Sequence, residues 1–182
     1  NRVVDLSANI TDISCGGSAC VARFLDGSAT AWGRQDRGGD ITLTDNNRVV
    51  DLSGTNKSVV DISCGGGACV ARFSDDSATV WGHDDFGGDI TLTDNNRVVD
   101  LSGNETNVTD ISCGGLACVA RFSNGSAAAW GDTDYGGNIT LTDNGRIVNL
   151  LENVSDISCG YKACVARFND GSATAWGDLS PV

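Results

Sequence analysis

The chain has 182 residues, 24 of them glycine, one proline and no methionine, and its 24 acidic residues against 12 lysines and arginines give a formal net charge of −12. Charge of that sign repels phosphate backbones and no basic stripe interrupts it, so nucleic acid is not an expected partner. No run of eighteen apolar residues occurs, which leaves no membrane-spanning helix.

A composition rich in Val, Ile, Ser, Thr, Asp and Gly describes short strands joined by tight turns, hence an all-β class. Without methionine, and opening on Asn1, the chain reads as a mature or excised piece of a longer product.

In chain order the first unit yields strands over Val3 to Leu6, Asp12 to Cys15, Ala19 to Phe24 and Ser28 to Trp32, each alternating or running apolar over four to six residues. Gly16-Gly17 separates the second from the third. Asp26-Gly27 then reads as a two-residue hairpin turn, a place held later by Asp75-Asp76, Asn124-Gly125 and Asp170-Gly171. The pattern recurs: Trp32, Trp81, Trp130 and Trp176 lie 49, 49 and 46 residues apart, and the cysteine pairs keep step. The units span 1–46, 47–95, 96–144 and 145–182, and the fourth is truncated after Trp176-Gly177. Together they form one repeat domain. Four strands per unit is the count of a propeller blade. The expected fold is all-β, four tandem four-stranded blade-like repeats, β-propeller-like, with closed ring and open array both compatible with the pattern.

Ile13-Ser-Cys-Gly-Gly through Asp26-Gly-Ser-Ala-Thr-Ala-Trp-Gly33 resembles the regulator-of-chromosome-condensation repeat, and Gly38-Gly39-Asp40 resembles a variant common in algal and marine microbial proteins. The resemblance covers all four units. It implies four-stranded propeller blades, commonly seven to a ring. The nucleotide-exchange and chromatin roles of one branch do not carry over, because acidic charge and paired cysteines argue against a nuclear setting.

Cys15/Cys20, Cys64/Cys69, Cys113/Cys118 and Cys159/Cys164 each bracket four residues of a tight turn. An even count at fixed spacing favours four intra-unit disulfides, since facing positions of a hairpin lie within disulfide reach. Zinc held by two such pairs and eight buried free thiols are the competing readings. Sequons at Asn9, Asn56, Asn104, Asn107, Asn138 and Asn153 are read as N-glycosylation sites, whereas Asn124 sits in a turn too tight for one. Disulfides and glycans together point to an extracellular or secreted protein.

If each cysteine pair faces across its hairpin, Asp12 meets Arg23, Asp61 meets Arg72, Asp110 meets Arg121 and Asp156 meets Arg167, four expected structural ion pairs. A two-residue turn at Asp26-Gly27 would set Thr30 opposite Arg23 and put Trp32 on the arginine's face, within stacking reach.

The acidic turns at Asp84-Asp85 and Asp132/Asp134 are better read as solvated than as calcium ligands, because Arg34, Gln35 and Arg37 break the pattern in the first unit. His83, the single histidine, falls in a variable turn. No catalytic set, metal site or cofactor motif is found, and the paired carboxylates recur fourfold as structural residues do.

The expected function is a non-catalytic, secreted, glycosylated structural or assembly subunit of an extracellular filament or surface coat, a homo-oligomer or polymer joined through its chain ends. The alternatives are a carbohydrate- or protein-binding propeller, with glycans as ligands, and an intracellular propeller interaction module.

Overall fold

The computed structural model describes residues 4–41, 50–90, 99–104, 106–139 and 148–179. Twelve strands form four antiparallel three-stranded sheets, each a meander of consecutive strands. Sheet 1 comprises β1 (Ile10–Cys15), β2 (Ala19–Phe24) and β3 (Ala29–Gly33), and sheet 2 comprises β4 (Val59–Cys64), β5 (Ala68–Phe73) and β6 (Ala78–Gly82). Sheet 3 holds β7 (Val108–Cys113), β8 (Ala117–Phe122) and β9 (Ala127–Gly131). Sheet 4 holds β10 (Val154–Cys159), β11 (Ala163–Phe168) and β12 (Ala173–Gly177). Single 3-10 turns at Gln35–Arg37, Asp84–Phe86 and Thr133–Tyr135 follow the first three sheets.

The first hairpin of each sheet closes as the sequence suggested, with Asp12 opposite Arg23 and Cys15 opposite Cys20. The second does not. Phe24 N–H donates to Ser28 O and Gly27 N–H to Phe24 O, so the loop holds three residues: a tight turn followed by Gly27 in the left-handed region at φ 83°. Asp26 Oδ1 favours this geometry by accepting from both Ser28 N–H and Ser28 Oγ–H. The extra residue shifts the register by one, so Arg23 faces Ala29 and Trp32 faces Cys20. Opposed residues share a face. Cys20, Ala22 and Trp32 therefore point one way, and Val21, Arg23, Ala29 and Ala31 the other.

The sheets stack in sequence order with a core between each pair. In the first core Ala19, Val21 and Ala31 of sheet 1 meet Val59, Ile62, the Cys64–Cys69 pair, Ala71, Phe73 and Trp81 of sheet 2. Val50 and Leu52 complete it. They belong by sequence to the second unit, but Ala29 N–H donates to Leu52 O, which lays their segment along β3 of the first. Leu101 and Leu150 accept in the same way from Ala78 and Ala127. The fourth strand expected from a unit's own opening thus forms no strand in the described residues: the equivalent segment docks on the preceding sheet, because β3 has a free edge and an apolar face there. In the first unit Val4 to Leu6 forms no strand, and Val3 lies outside the described residues.

Candidate functional site

The repeated junction between sheets is the feature that the sequence builds most consistently. At its cysteine end, Gly16 N–H donates to Ala19 O, which makes the next pair outward, Cys15 with Cys20, a non-hydrogen-bonded position where side chains approach most closely. Disulfides join Cys15–Cys20, Cys64–Cys69, Cys113–Cys118 and Cys159–Cys164, with Cα atoms 4.0–4.1 Å apart, and no free cysteine is left. Each of the last three disulfides lies on the face that its sheet turns toward the sheet before it.

Three hydrogen bonds recur across every junction. Trp81, Trp130 and Trp176 donate from Nε1 to the carbonyls of Gly38, Gly87 and Gly136, at 2.9–3.0 Å, each reaching into the preceding unit. Those glycines end the 3-10 turns with φ of 98–105°, and a Cβ on Gly38 would come within 2.9 Å of Cys69 Sγ. Cys64, Cys113 and Cys159 donate from the backbone to Ser14, Ser63 and Ser112 Oγ, at 2.9–3.0 Å. Val59, Val108 and Val154 donate to the carbonyls of Gly27, Asp76 and Gly125, at 2.7–2.8 Å. Sequence reasoning did not single out these serines and glycine carbonyls. The serines and the Gly38, Gly87 and Gly136 column are the same in the first three units, whereas Asp76 stands in the Gly27 column.

The aspartates and arginines come together unevenly. Arg167 Nη2 lies 3.4 Å from Asp156 Oδ2, whereas Arg72–Asp61 and Arg121–Asp110 are loose at 3.9 Å. Asp12 and Arg23 oppose each other in register but form no ion pair, and Arg23 Nε is buried without a hydrogen-bond partner. That expected pair is corrected: Asp12 accepts from Ile13 N–H just as the other three aspartates accept from the residue after them, and a loose pair in a half-solvated setting has little to gain. The expected stacking of arginine on tryptophan is also corrected, since the longer turn puts the indoles on the opposite face. Burial pushes the carboxyls of Asp61 and Asp110 above the ordinary range, outweighing the backbone hydrogen bonds and the arginines that pull them down.

The sequons divide by position. Asn9, Asn56, Asn104, Asn107 and Asn153 are exposed and sit just before β1, β4, β7 and β10, on the rim that also carries the β2–β3 type of turn. Leu25, Ser123 and Asn169 N–H donate to the carbonyls of Asn9, Asn107 and Asn153, which fixes three of them in one register. Asn138 is different. It lies on the opposite rim at 6 % exposure, so the packed fold has no room for a glycan there and that site is withdrawn. The exposed Asn124 Oδ1 accepts from Ser126 N–H and Oγ–H, the tight turn expected of it.

The rim also holds a groove of about 490 Å³ between the second and third units, with Lys57 Nζ 4.1 Å from the centre of the Phe73 ring. At the 3-10 turns Asp85 and Asp134 are exposed while Asp84 and Asp132 are half-buried, burial pushing the Asp132 carboxyl up, and His83 stacks on Phe86 at 4.6 Å.

No protein-family model matches the chain, and no curated protein does. Solved structures do. Prp20p of Saccharomyces cerevisiae superposes with a TM-score of 0.66 at 18 % identity, over 92 % of this chain and 44 % of that one. Human WBSCR16 gives 0.64 at 20 % identity, over 97 % of this chain and 50 % of that one. The CRINKLY WD40 ectodomain of the Arabidopsis thaliana receptor kinase ACR4 gives 0.63 at 12 % identity, over 95 % and 54 %. The chain spans about half the length of these structures. The first is the yeast regulator of chromosome condensation, whose repeat the Trp-Gly and Gly-Gly spacing resembles. The chain therefore has the propeller-type fold of the regulator-of-chromosome-condensation structures, a likeness of fold at 18–20 % identity.

Proposed function

We propose that this protein is a non-catalytic, extracellular, N-glycosylated repeat protein whose role is structural, as a subunit of a filament or surface coat. One observation carries the reading: the same apolar face and the same three hydrogen bonds are rebuilt at each of the three junctions between successive sheets, so the unit is made for stacking. One disulfide per unit supports an oxidising compartment, and the exposed sequons on one rim support a glycan coat that leaves the stacking faces bare. The repeated serine hydroxyls and indole N–H groups are engaged in the three junctions between sheets, which supports a role without chemistry.

The test is peptide mapping of native material without reduction, with glycosidase treatment, alongside electron microscopy. Four intra-unit disulfides, glycans on the five exposed asparagines and ordered assemblies are expected. Alkylatable thiols in the native protein would overturn the compartment, and dispersed single particles the structural role.

The groove beside Phe73 favours a second reading, a carbohydrate- or protein-binding propeller. Prp20p binds Gsp1p and histones, and the ACR4 match is an ectodomain, so propellers of this fold do recognise partners. Saturable binding of an oligosaccharide or protein to dispersed particles would favour it.

A further inference from the structure

Asn56 stands apart from the other exposed sequons. Asn9, Asn107 and Asn153 each lie three residues before the aspartate of β1, β7 or β10, whereas Asn56 lies five residues before Asp61. That offset places it at the groove between the second and third units. Asn56 Nδ2 donates to Asp51 Oδ2 at 3.2 Å, and both Asp51 and Lys57, the middle residue of the sequon, line the groove. Asn107 Nδ2 instead donates to Asp76 Oδ2 in the β5–β6 turn, and neither of these lines it.

Lys57 is peculiar to this unit, standing where the others have Ala8, Thr106 and Glu152. Its ammonium lies 4.1 Å from the centre of the Phe73 ring and donates to Ser77 Oγ, so the aromatic ring in the groove is already engaged. What remains is a polar lip over an aliphatic wall. Asp51 and Asp100 are exposed, and hydrogen bonds from Ser53 and Ser102 hold their carboxyls below the ordinary range, so both are ionised acceptors at neutral pH. Val50 and Leu101 belong to the wall. Such a lining suits an amino sugar, whose hydroxyls donate to carboxylates while its C–H face and acetyl methyl lie on aliphatic side chains.

We propose that this groove seats the first sugars of a glycan on Asn56, a binding site for the protein's own modification. The inference rests on the glycosylation reading above and names where one glycan lies. Attachment replaces one of the two Nδ2–H bonds by a bond to C1 of N-acetylglucosamine. The sugar comes from a polyprenyl-diphosphate-linked oligosaccharide, the diphosphate leaves, and the displaced proton passes to solvent. The second N–H remains, and by keeping its hydrogen bond to Asp51 it directs the sugar along the lip. Tethering decides between this occupant and a free oligosaccharide: a short flexible link presents its ligand at about millimolar effective concentration. Even a weak saccharide site is therefore filled by the attached sugar first.

The test uses the full chain secreted from a eukaryotic host, with non-reducing maps as folding controls. Site-resolved mass spectrometry gives occupancy, and a peptide N-glycosidase acting on the native protein gives the release rate at each site. Release at Asn56 should be at least about tenfold slower than at Asn9 and Asn107, and denaturation should make the rates equal. Asp100→Asn, whose amide oxygen can still accept from Ser102 N–H, should bring the Asn56 rate up to that of Asn107. Asn56→Gln should leave the groove empty, so that N,N′-diacetylchitobiose binds this variant saturably in an NMR titration and does not bind the glycosylated wild type. Equal native release rates at Asn56 and Asn107, or a bare Asn56 beside occupied sequons, would overturn the seat and leave glycosylation standing. Equal binding of the free disaccharide by both proteins would overturn it too, making the groove a site for external saccharide. Bare asparagines throughout would overturn the seat and the glycosylation reading together.

Discussion

Replacing one junction tryptophan by phenylalanine separates the internal interfaces from the exposed end. Trp81 is fully buried and its Nε1–H donates to Gly38 O at 2.9 Å; Trp130 and Trp176 repeat the arrangement. Trp81→Phe removes part of a buried ring, about 1–2 kcal/mol on the scale of large-to-small core changes. It also leaves the Gly38 carbonyl buried and unpaired, costing about 1–3 kcal/mol more. The expected loss is about 3 kcal/mol, or roughly 6–12 °C in melting temperature for a chain of this size. Trp32 is half-buried, and among the described residues no preceding glycine carbonyl receives it, so Trp32→Phe should cost less than about 1 kcal/mol. Urea denaturation followed by far-UV circular dichroism, at concentrations below any association, reads both. Equal losses at positions 32 and 81 would show that the indoles stabilise their own sheets rather than the junctions, and would refute the reasoning.

The disulfides should differ in the same sense. Closing a six-residue loop contributes about 2 kcal/mol in the chain-entropy view, so Cys15→Ala with Cys20→Ala should cost about that much. Cys64→Ala with Cys69→Ala should cost about 4 kcal/mol, because both sulfurs are also buried in the first core; indistinguishable denaturation midpoints would contradict this. Asp76 occupies the left-handed turn position at φ 62° that Gly27, Gly125 and Gly171 fill elsewhere. Asp76→Gly should stabilise by about 0.5 kcal/mol, the relief of backbone strain less the exposed hydrogen bond from Asn107 Nδ2, and a loss above about 1 kcal/mol would speak against it. Burial holds the Asp61 carboxyl above its unfolded pKa, so the folded chain binds the extra proton between the two values and stability falls as pH rises through that window. Asp61→Asn should therefore equal or exceed the wild type at pH 7, by no more than about 0.5 kcal/mol after solvent screening. The advantage should vanish below about pH 4, where the unfolded carboxyl is also protonated; denaturation curves at pH 7 and pH 3 that show the reverse order would exclude burial as the cause.

Local chemistry was legible in the sequence wherever a residue's role is set by its immediate neighbours. The 49-residue period, the Cys-Gly-Gly turns and the alternation in Ala19 to Phe24 fix an all-β repeat and the register of the first hairpin, because turn length and opposed positions follow from counting. Counting failed at Asp26-Gly27. The same dipeptide serves a two-residue and a three-residue loop, and only the Phe24 to Ser28 hydrogen bond distinguishes them; that one residue moved every tryptophan to the other face. Asn138 carries the same sequon as Asn9, and only packing makes it unusable. The opening segment of each unit reads as a strand in either placement, and the free edge of the preceding sheet decides where it docks. The sequence by itself determined the repeat, the strands and the cysteine pairing, since these depend on contacts a few residues apart. The tertiary structure alone decided which face meets which neighbour, because that choice depends on residues 40 to 50 positions away that no local pattern records.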